Sequence, residues 1–339
     1  MTTRRNPAPA PLLRGGPRVV TPHTGSPRAG RRRQPLAELL TRLTERDIWL
    51  LEMLAEHTVL TSAHINALWD NSLRNTNRRL LTLYRLGLLD SFRPRAVSGS
   101  APEHYLLARN GASILAARHA TTPAALGWSP DLITRTAYSP TLAHDLGATT
   151  FFTSLAAASR TSPHPERVDA WWSEQRCARV WGDLVRPDAH GRLRRPDGPT
   201  VAFFLEYDTG TEPHARLAAK LDAYADAAPA LGGRPLVVLT LPSSCRETHL
   251  HQRLARHPAL HAVDVATTAR DHMPPAAAAH EPLGPVWLRL GRPTHRQRLA
   301  ELPAEHPDAA ERREAVAALA GPVAPHPFGH DFLGALRRP

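Results

Sequence analysis

The stretch FFLEYDTGTEPHARLAAKLDAY (residues 203–224) runs from the most strand-like segment of the chain into its only lysine, Lys220. Lys and Arg together number 42, and every one except Lys220 is arginine. In "TVAFFLEYD" (200–208) side chains alternate faces with a period of two. Val201, Phe203, Leu205 and Tyr207 share one face, and Ala202, Phe204, Glu206 and Asp208 share the other. The run is apolar enough for a central strand, so Glu206 and Asp208 project together from the end of a buried element. Two neighbouring carboxylates repel each other and are costly to desolvate. They require a cation, either a metal or a basic side chain.

The second half of the stretch reads as a helix. Thr211 is the expected cap, with Glu212 and Pro213 in the first turn. Leu217, Leu221, Tyr224 and Ala228 form its buried stripe, and Lys220 flanks that stripe. Two readings of Lys220 stand open at this point. Its stem can run along the sheet and bring the ammonium to the carboxylates, or it can reach out to water. A compact ammonium differs from the forked guanidinium used everywhere else in the chain, and it can serve as a point charge beside a nucleophilic water.

Asp188, in "RPDAHGRL" (186–193), is a third carboxylate. The turn signal Asp197-Gly198 predicts a hairpin that returns into the Glu206 strand. Paired strands lie about 4.8 Å apart, which brings Asp188 within reach of Glu206. Hard oxygen ligands from Asp188, Glu206 and Asp208 suit Mg²⁺ or Mn²⁺. Glu174, in "WWSEQRC", is either a further acid of the cluster or a surface residue.

The elements around this site predict a small α/β domain with a mixed sheet. A long amphipathic helix is expected over "SPTLAHDLGATTFFTSLAAASR". Extended runs follow at "VDAWWSEQRCARVW", "LVRPDAHGRL" and "TVAFFLEYD". The helix at about 212–230 comes next and then the strand "RPLVVLTLP", in the order α-β-β-β-α-β, with a helix near 246–256 and a strand near 261–265 beyond. After about Pro293 the patterning is weak, with one helix expected in "DAAERREAVAALA".

Residues 38–120 read as a second, helical module ending in a hairpin. "TERDIWLLEMLAEH" opens with Thr44 as N-cap, and "LTSAHINALW" begins a second helix near Thr61 or Ser62. "NSLRNTNRRLLTLYRLGLL" is a third, with Leu73, Leu80, Leu83 and Leu86 expected inward and Gly87 ending it. "LLDSFRPR" and "EHYLLA" are two short strands around a turn-rich link. A fourth helix is expected at "NGASILAARH". This pattern is that of a winged helix-turn-helix. Its third helix carries Arg74, Asn75, Asn77, Arg78, Arg79 and Arg85, and its wing carries Arg93 and Arg95. From residue 71 to 95 one acid, Asp90, opposes six arginines. Such residues suit base edges and phosphates in a major groove. The alternative is a basic, solvated helix in a protein-interaction module.

The net charge of +11 is concentrated at the N-terminus. Residues 1–37 hold eight arginines and no acid, and are rich in Pro and Gly. That composition predicts a disordered tail, which either contacts DNA phosphates or has no binding role. The expected organisation is a tail (1–37), winged helix-turn-helix (38–120), linker (121–137), α/β domain (138–292) and an Arg/Ala/Pro-rich C-terminal tail (293–339). No apolar run approaches the roughly 18 residues that a membrane-spanning helix needs, and no secretory signal is legible. Cys177 and Cys245 read as two isolated buried thiols, and the 19 His as scattered surface residues. A cytoplasmic protein is expected.

Asp188, then Glu206 and Asp208, then a lysine on the next helix, resembles the PD-(D/E)XK nuclease fold. Pro187-Asp188 and Glu206 match that pattern. Asp208 stands where the pattern has Lys, and Lys220 would supply the lysine from the following helix. From about Leu43 to Arg298 the chain resembles the actinobacterial replication-relaxation family. The likeness rests on "LTERDIWLLEMLAEHTVLT", "RRLLTLYRLGLLDSFRPR", "HYLLARNGASILAA", "RPDAHGRL" and the opening stretch. It implies a DNA binder tied to replication or mobility of plasmids and integrated elements, associated with the nucleoid or a plasmid. Double-stranded DNA and replication or mobilisation proteins are the implied partners. Three functions follow. The first is a sequence-reading winged helix on an inactive nuclease-like platform. The second is a Mg²⁺-dependent DNA endonuclease or nickase using Asp188, Glu206, Lys220 and Asp208. The third is a protein-interaction adaptor without catalysis.

Overall fold

A computed structural model describes residues 20–22, 35–95, 99–161, 166–271, 282–291, 295–319 and 323–328. The chain is mixed α/β, with eleven α-helices and two sheets among the described residues. Two compact units divide it: described residues 20–149, with Phe328, fall in one and 150–327 in the other. No described helix is long and apolar enough to cross a membrane.

The first unit begins with strand β1 (Val20–Pro22) and helix α1 (Leu36–Leu40). Helix α2 (Glu45–His57), strand β2 (Leu60–Thr61) and helices α3 (Ser62–Trp69) and α4 (Leu73–Arg85) follow. Strands β3 (Leu89–Pro94) and β4 (His104–Leu107) make a hairpin, and α5 (Arg109–Arg118) and α6 (Leu132–Ala137) come after it. Thr44 caps α2 in a capping box with Asp47, and Thr61 caps α3. These caps satisfy backbone donors that a helix start otherwise leaves orphaned. Gly87, at φ +70°, ends α4. The antiparallel sheet has the order β1-β3-β4-β2.

Three expectations change here. Within the N-terminal stretch read as disordered, Val20–Pro22 pairs its backbone with β3, and the stretch is otherwise outside the described residues up to Pro35. Residues 121–137, expected as a linker, carry α6. Its Ala137, Leu132 and Ile133 pack with Phe92 and Leu106. Leu73, expected inward, is 52% exposed: it shares the phase of Leu80, about 20° away on the wheel, but stands at the first position of α4, ahead of the buried residues Thr76, Leu80 and Leu83.

Helix α7 (Leu142–Thr161) carries the boundary between the units. The second unit then runs β5 (Arg167–Ser173), α8 (Glu174–Trp181), β6 (Ala189–Arg194), β7 (Thr200–Tyr207) and α9 (His214–Ala227). It continues through β8 (Leu236–Leu241), α10 (Ser244–Leu254), β9 (Asp264–Ala269), β10 (Leu288–Arg289) and α11 (Pro307–Leu319). The sheet order is β10-β9-β8-β7-β6-β5. Strands β7, β8 and β9 are parallel and their outer neighbours antiparallel, so the sheet is mixed, as its sequence order requires. Residues 174–181 form α8 where an extended run was expected. Ser173 caps its start by accepting from the Arg176 N–H.

Strand parity sorts the core as the alternation requires. On one face Phe203 stacks with Phe152 of α7, which also stacks on Trp171. Gly191 makes this approach feasible: a Cβ there would lie 2.4 Å from the Phe203 ring and 2.6 Å from that of Phe152. On the other face Phe204 meets Tyr224 and Trp181, and Leu217, Leu221, Val237, Leu239 and Leu250 complete the layer beneath α9 and α10. Cys177 is buried in that layer. Cys245 is exposed on the first turn of α10, contrary to the expectation of two buried thiols. His64, His104, His190 and His251 are buried rather than on the surface.

Candidate functional site

The β6–β7 register aligns Ala189 with Leu205, which sets Asp188 opposite Glu206 at the end of the hairpin. The Asp188 N–H donates to the Leu205 carbonyl at 3.1 Å, and its Oδ2 accepts from the Tyr207 N–H at 2.6 Å. Glu206 is buried, at 3% exposure, on the α9 side of the sheet. Lys220 Nζ donates to its Oε2 at 2.7 Å, and the Tyr224 hydroxyl donates to its Oε1 at 2.8 Å. Lys220 and Tyr224 are four residues apart, one turn of α9, so a single helical stripe supplies both donors. Lys220 also lies 3.5 Å from Glu212 Oε2.

Electrostatics follow from this packing. Burial and then the charge of Asp188 push the Glu206 carboxyl up to about 7, against the opposing pull of Lys220 and Tyr224. Burial alone would lower the Lys220 ammonium. The charges of Glu206 and Asp188, with the hydrogen bond to Glu206, turn its shift upward. Tyr224 is raised well above an ordinary phenol by burial and by Glu206.

Asp208 takes a different partner. It lies just past β7 and is buried, with Oδ2 bonded to Arg246 Nε of α10 and Oδ1 accepting from the Gly210 N–H at 2.7 Å. Arg246 also donates to the Glu212 carbonyl. The cation that each carboxylate requires is therefore a side chain: lysine for Glu206, arginine for Asp208. Glu174 stands exposed in the first turn of α8.

As arranged, Asp188, Glu206 and Asp208 do not fit Mg²⁺ or Mn²⁺. Both oxygens of Glu206 and both of Asp208 are held by protein donors, and a cation would have to displace Lys220. Among the described residues no group of three or more His, Cys, Asp or Glu is placed to hold a metal.

In the first unit, Arg74, Asn75, Asn77, Arg78 and Arg85 are exposed on α4, and Arg93 and Arg95 on and after β3. Arg79 is not among them. Its guanidinium donates through Nε to Asp47 Oδ1 at 2.9 Å, pairs with Oδ2 of the same residue, and donates to the Arg42 carbonyl at 3.1 Å. Arg93 is exposed yet bonded to Glu103 at 2.9 Å and to Ser100 at 2.8 Å.

Sequence reasoning missed Tyr224 and Arg246 as partners of the acids. Tyr224 was legible: it lies four residues past Lys220. Arg246 was not, because nothing in the order of the chain says that the turn after β8 faces the turn after β7. That adjacency comes from the parallel β7–β8 pairing.

The fold and site define a two-unit α/β protein with a buried ion cluster at the end of a central strand and an exposed basic helix. A family model described as replication-relaxation matches residues 51–232, more than half of the chain. The chain belongs to the replication-relaxation family. No curated protein and no solved structure matches it.

Proposed function

We propose that this chain is a DNA-binding protein of plasmid or mobile-element replication or relaxation. Helices α2, α3 and α4 with the β3–β4 hairpin are read as a winged helix-turn-helix, and α4 as its recognition helix. The second unit is read as a PD-(D/E)XK nuclease-like platform, with α8 inserted between its first two strands. Duplex DNA is the partner, together with replication or mobilisation proteins. The observation that carries this reading is the outward face of α4: Arg74, Asn77, Arg78 and Arg85 are all exposed and no acid lies within the helix. Lys and Arg facing phosphates release counterions, so binding should weaken with salt. Arg74→Ala with Arg78→Ala should lower affinity for duplex DNA and reduce the salt slope by about 2. Unchanged affinity and slope would overturn the assignment of α4.

In this reading Asp188, Glu206, Lys220 and Tyr224 form a structural ion cluster. A second reading, a metal-dependent nickase, rests on the convergence of Asp188, Glu206 and Lys220 within one hairpin and one helix, and requires a cation to displace Lys220 from Glu206. Nicking of supercoiled DNA in Mg²⁺ or Mn²⁺ decides between them. Cleavage by the native chain that Glu206→Gln and Lys220→Met abolish would favour the nickase. Equal behaviour of all three proteins would leave the binding module.

A further inference from the structure

The outward face of α4 is not purely polar. Leu81 is 44% exposed. At 100° per residue Arg74 lies about 20° from Leu81 on the helix wheel, Arg85 and Asn77 about 40°, and Arg78 about 60°. Leu81 is therefore the centre of the basic face. The orientation is fixed from behind, where Leu80 and Leu83 are fully buried and the Thr76 hydroxyl donates to Asn66 of α3 at 2.9 Å. Leu81 cannot turn inward without breaking that packing.

The geometry points to Leu81 as the residue that selects thymine by contact with its C5-methyl group in the major groove. This rests on the reading of α4 as the recognition helix. The occupant follows from charge and chemistry together. Three exposed arginines and an asparagine around a leucine match a polyanion whose surface also carries apolar spots. In the major groove the thymine methyl is that spot, and it lies beside the adenine edge that Asn reads and the guanine edge that Arg reads. The preferred site thus contains a thymine, with Asn77, about 40° from Leu81 on the wheel, set to take a nearby adenine.

The test begins with selection of tight sites from a random 30-base-pair duplex library. The most enriched duplex is then remade with deoxyuridine in place of thymine, which removes the methyl groups and nothing else. The native chain should lose about fourfold in affinity per contacted methyl, the worth of one buried methylene. Leu81→Ala should bind the thymine and uracil duplexes equally, and Leu81→Met should restore most of the difference. Because Leu81 is exposed, its replacement should leave the thermal midpoint unchanged. If Arg74→Ala with Arg78→Ala weakens binding while uracil replacement does not, the thymine inference fails and the DNA-binding reading survives. If the arginine pair has no effect, the reading itself fails and the inference with it. If Leu81→Ala instead dissolves an oligomer in sedimentation and leaves uracil sensitivity intact, the face serves a second copy of the chain and the inference is overturned.

Discussion

Glu206 sits where a carboxylate is least welcome, and three groups decide its charge. Burial and Asp188 favour the protonated form, while Lys220 and Tyr224 favour the ionised one. The folded-state pKa, at about 7, lies above the ordinary carboxyl value of 4.5. A group raised in this way contributes stability that is complete below the unfolded value and is lost as pH rises through the folded one. Glu206→Gln keeps the shape and removes that titration. Its stability relative to the native chain should therefore rise between pH 5 and pH 8, measured as the difference in thermal midpoint. Lys220→Met takes away the compensating charge. It should cost about 1–3 kcal/mol at pH 8, below the full price of orphaning a buried charge because Lys220 is itself a third exposed. At pH 5 the deficit should shrink, since Glu206 is then neutral. Deficits of equal size at the two pH values would refute the electrostatic account. Asp208 and Arg246 give a harsher case, with side chains 1% and 17% exposed. Arg246→Ala should cost about 3 kcal/mol, and the cost should fall sharply when Asp208→Asn is added.

Within helix α4, adjacent arginines have opposite tasks. Arg78 is exposed, and its neighbour Arg79 clamps Asp47 at the start of α2. Asp47 is buried and also accepts from the Thr44 N–H in the capping box. Arg79→Ala should therefore destabilise the first unit by about 1–3 kcal/mol, seen as a lower thermal midpoint. Arg78→Ala should leave stability within about 0.5 kcal/mol and weaken DNA binding instead. The reverse pattern would mean that the helix is phased differently. The sequence alone could not separate the two, because composition marks both as basic and only the α2–α4 packing distinguishes them. Where local chemistry decides, the elements were legible: the caps at Thr44 and Thr61, the stop at Gly87, and the face alternation of β7. Where tertiary neighbours decide, they were not. Residues 174–181 look strand-like from Val180 and the preceding tryptophans, yet the Ser173 cap and the burial of Cys177 and Trp181 make a helix. Thr211 looks like a cap, yet α9 starts at His214 with Pro213 as N-cap and no side-chain bond. The meeting of Asp188, Glu206 and Lys220 was readable from strand parity and the hairpin signal. The arginine that closes Asp208 to a metal was not, since it comes from a helix three elements downstream.

At the scale of the whole molecule, the family match ends at residue 232, but the sheet does not. Strand β8 begins at Leu236, lies between β7 and β9, and is buried at all six positions. Removing everything after Gly232 would leave β7, the strand that carries Glu206, as an open apolar edge, which favours edge-to-edge association. It would also strip Arg246 from Asp208 and leave that carboxylate buried and unpaired. Gly232 itself is held against the C-terminal helix: a Cβ there would lie 2.7 Å from the Ala309 Cα, and its φ of +88° disfavours any other residue. A chain of residues 1–232 should therefore aggregate or be cut rapidly by protease within 150–232, while 35–149 keeps its resistance. Gly232→Val in the full chain should lower the thermal midpoint of the second unit without altering salt-dependent DNA binding. A 1–232 chain that stays monomeric with an intact second transition would show that β8 and β9 are dispensable. The platform would then be smaller than the hydrogen-bonded sheet, and the span shared with the family would be sufficient to fold.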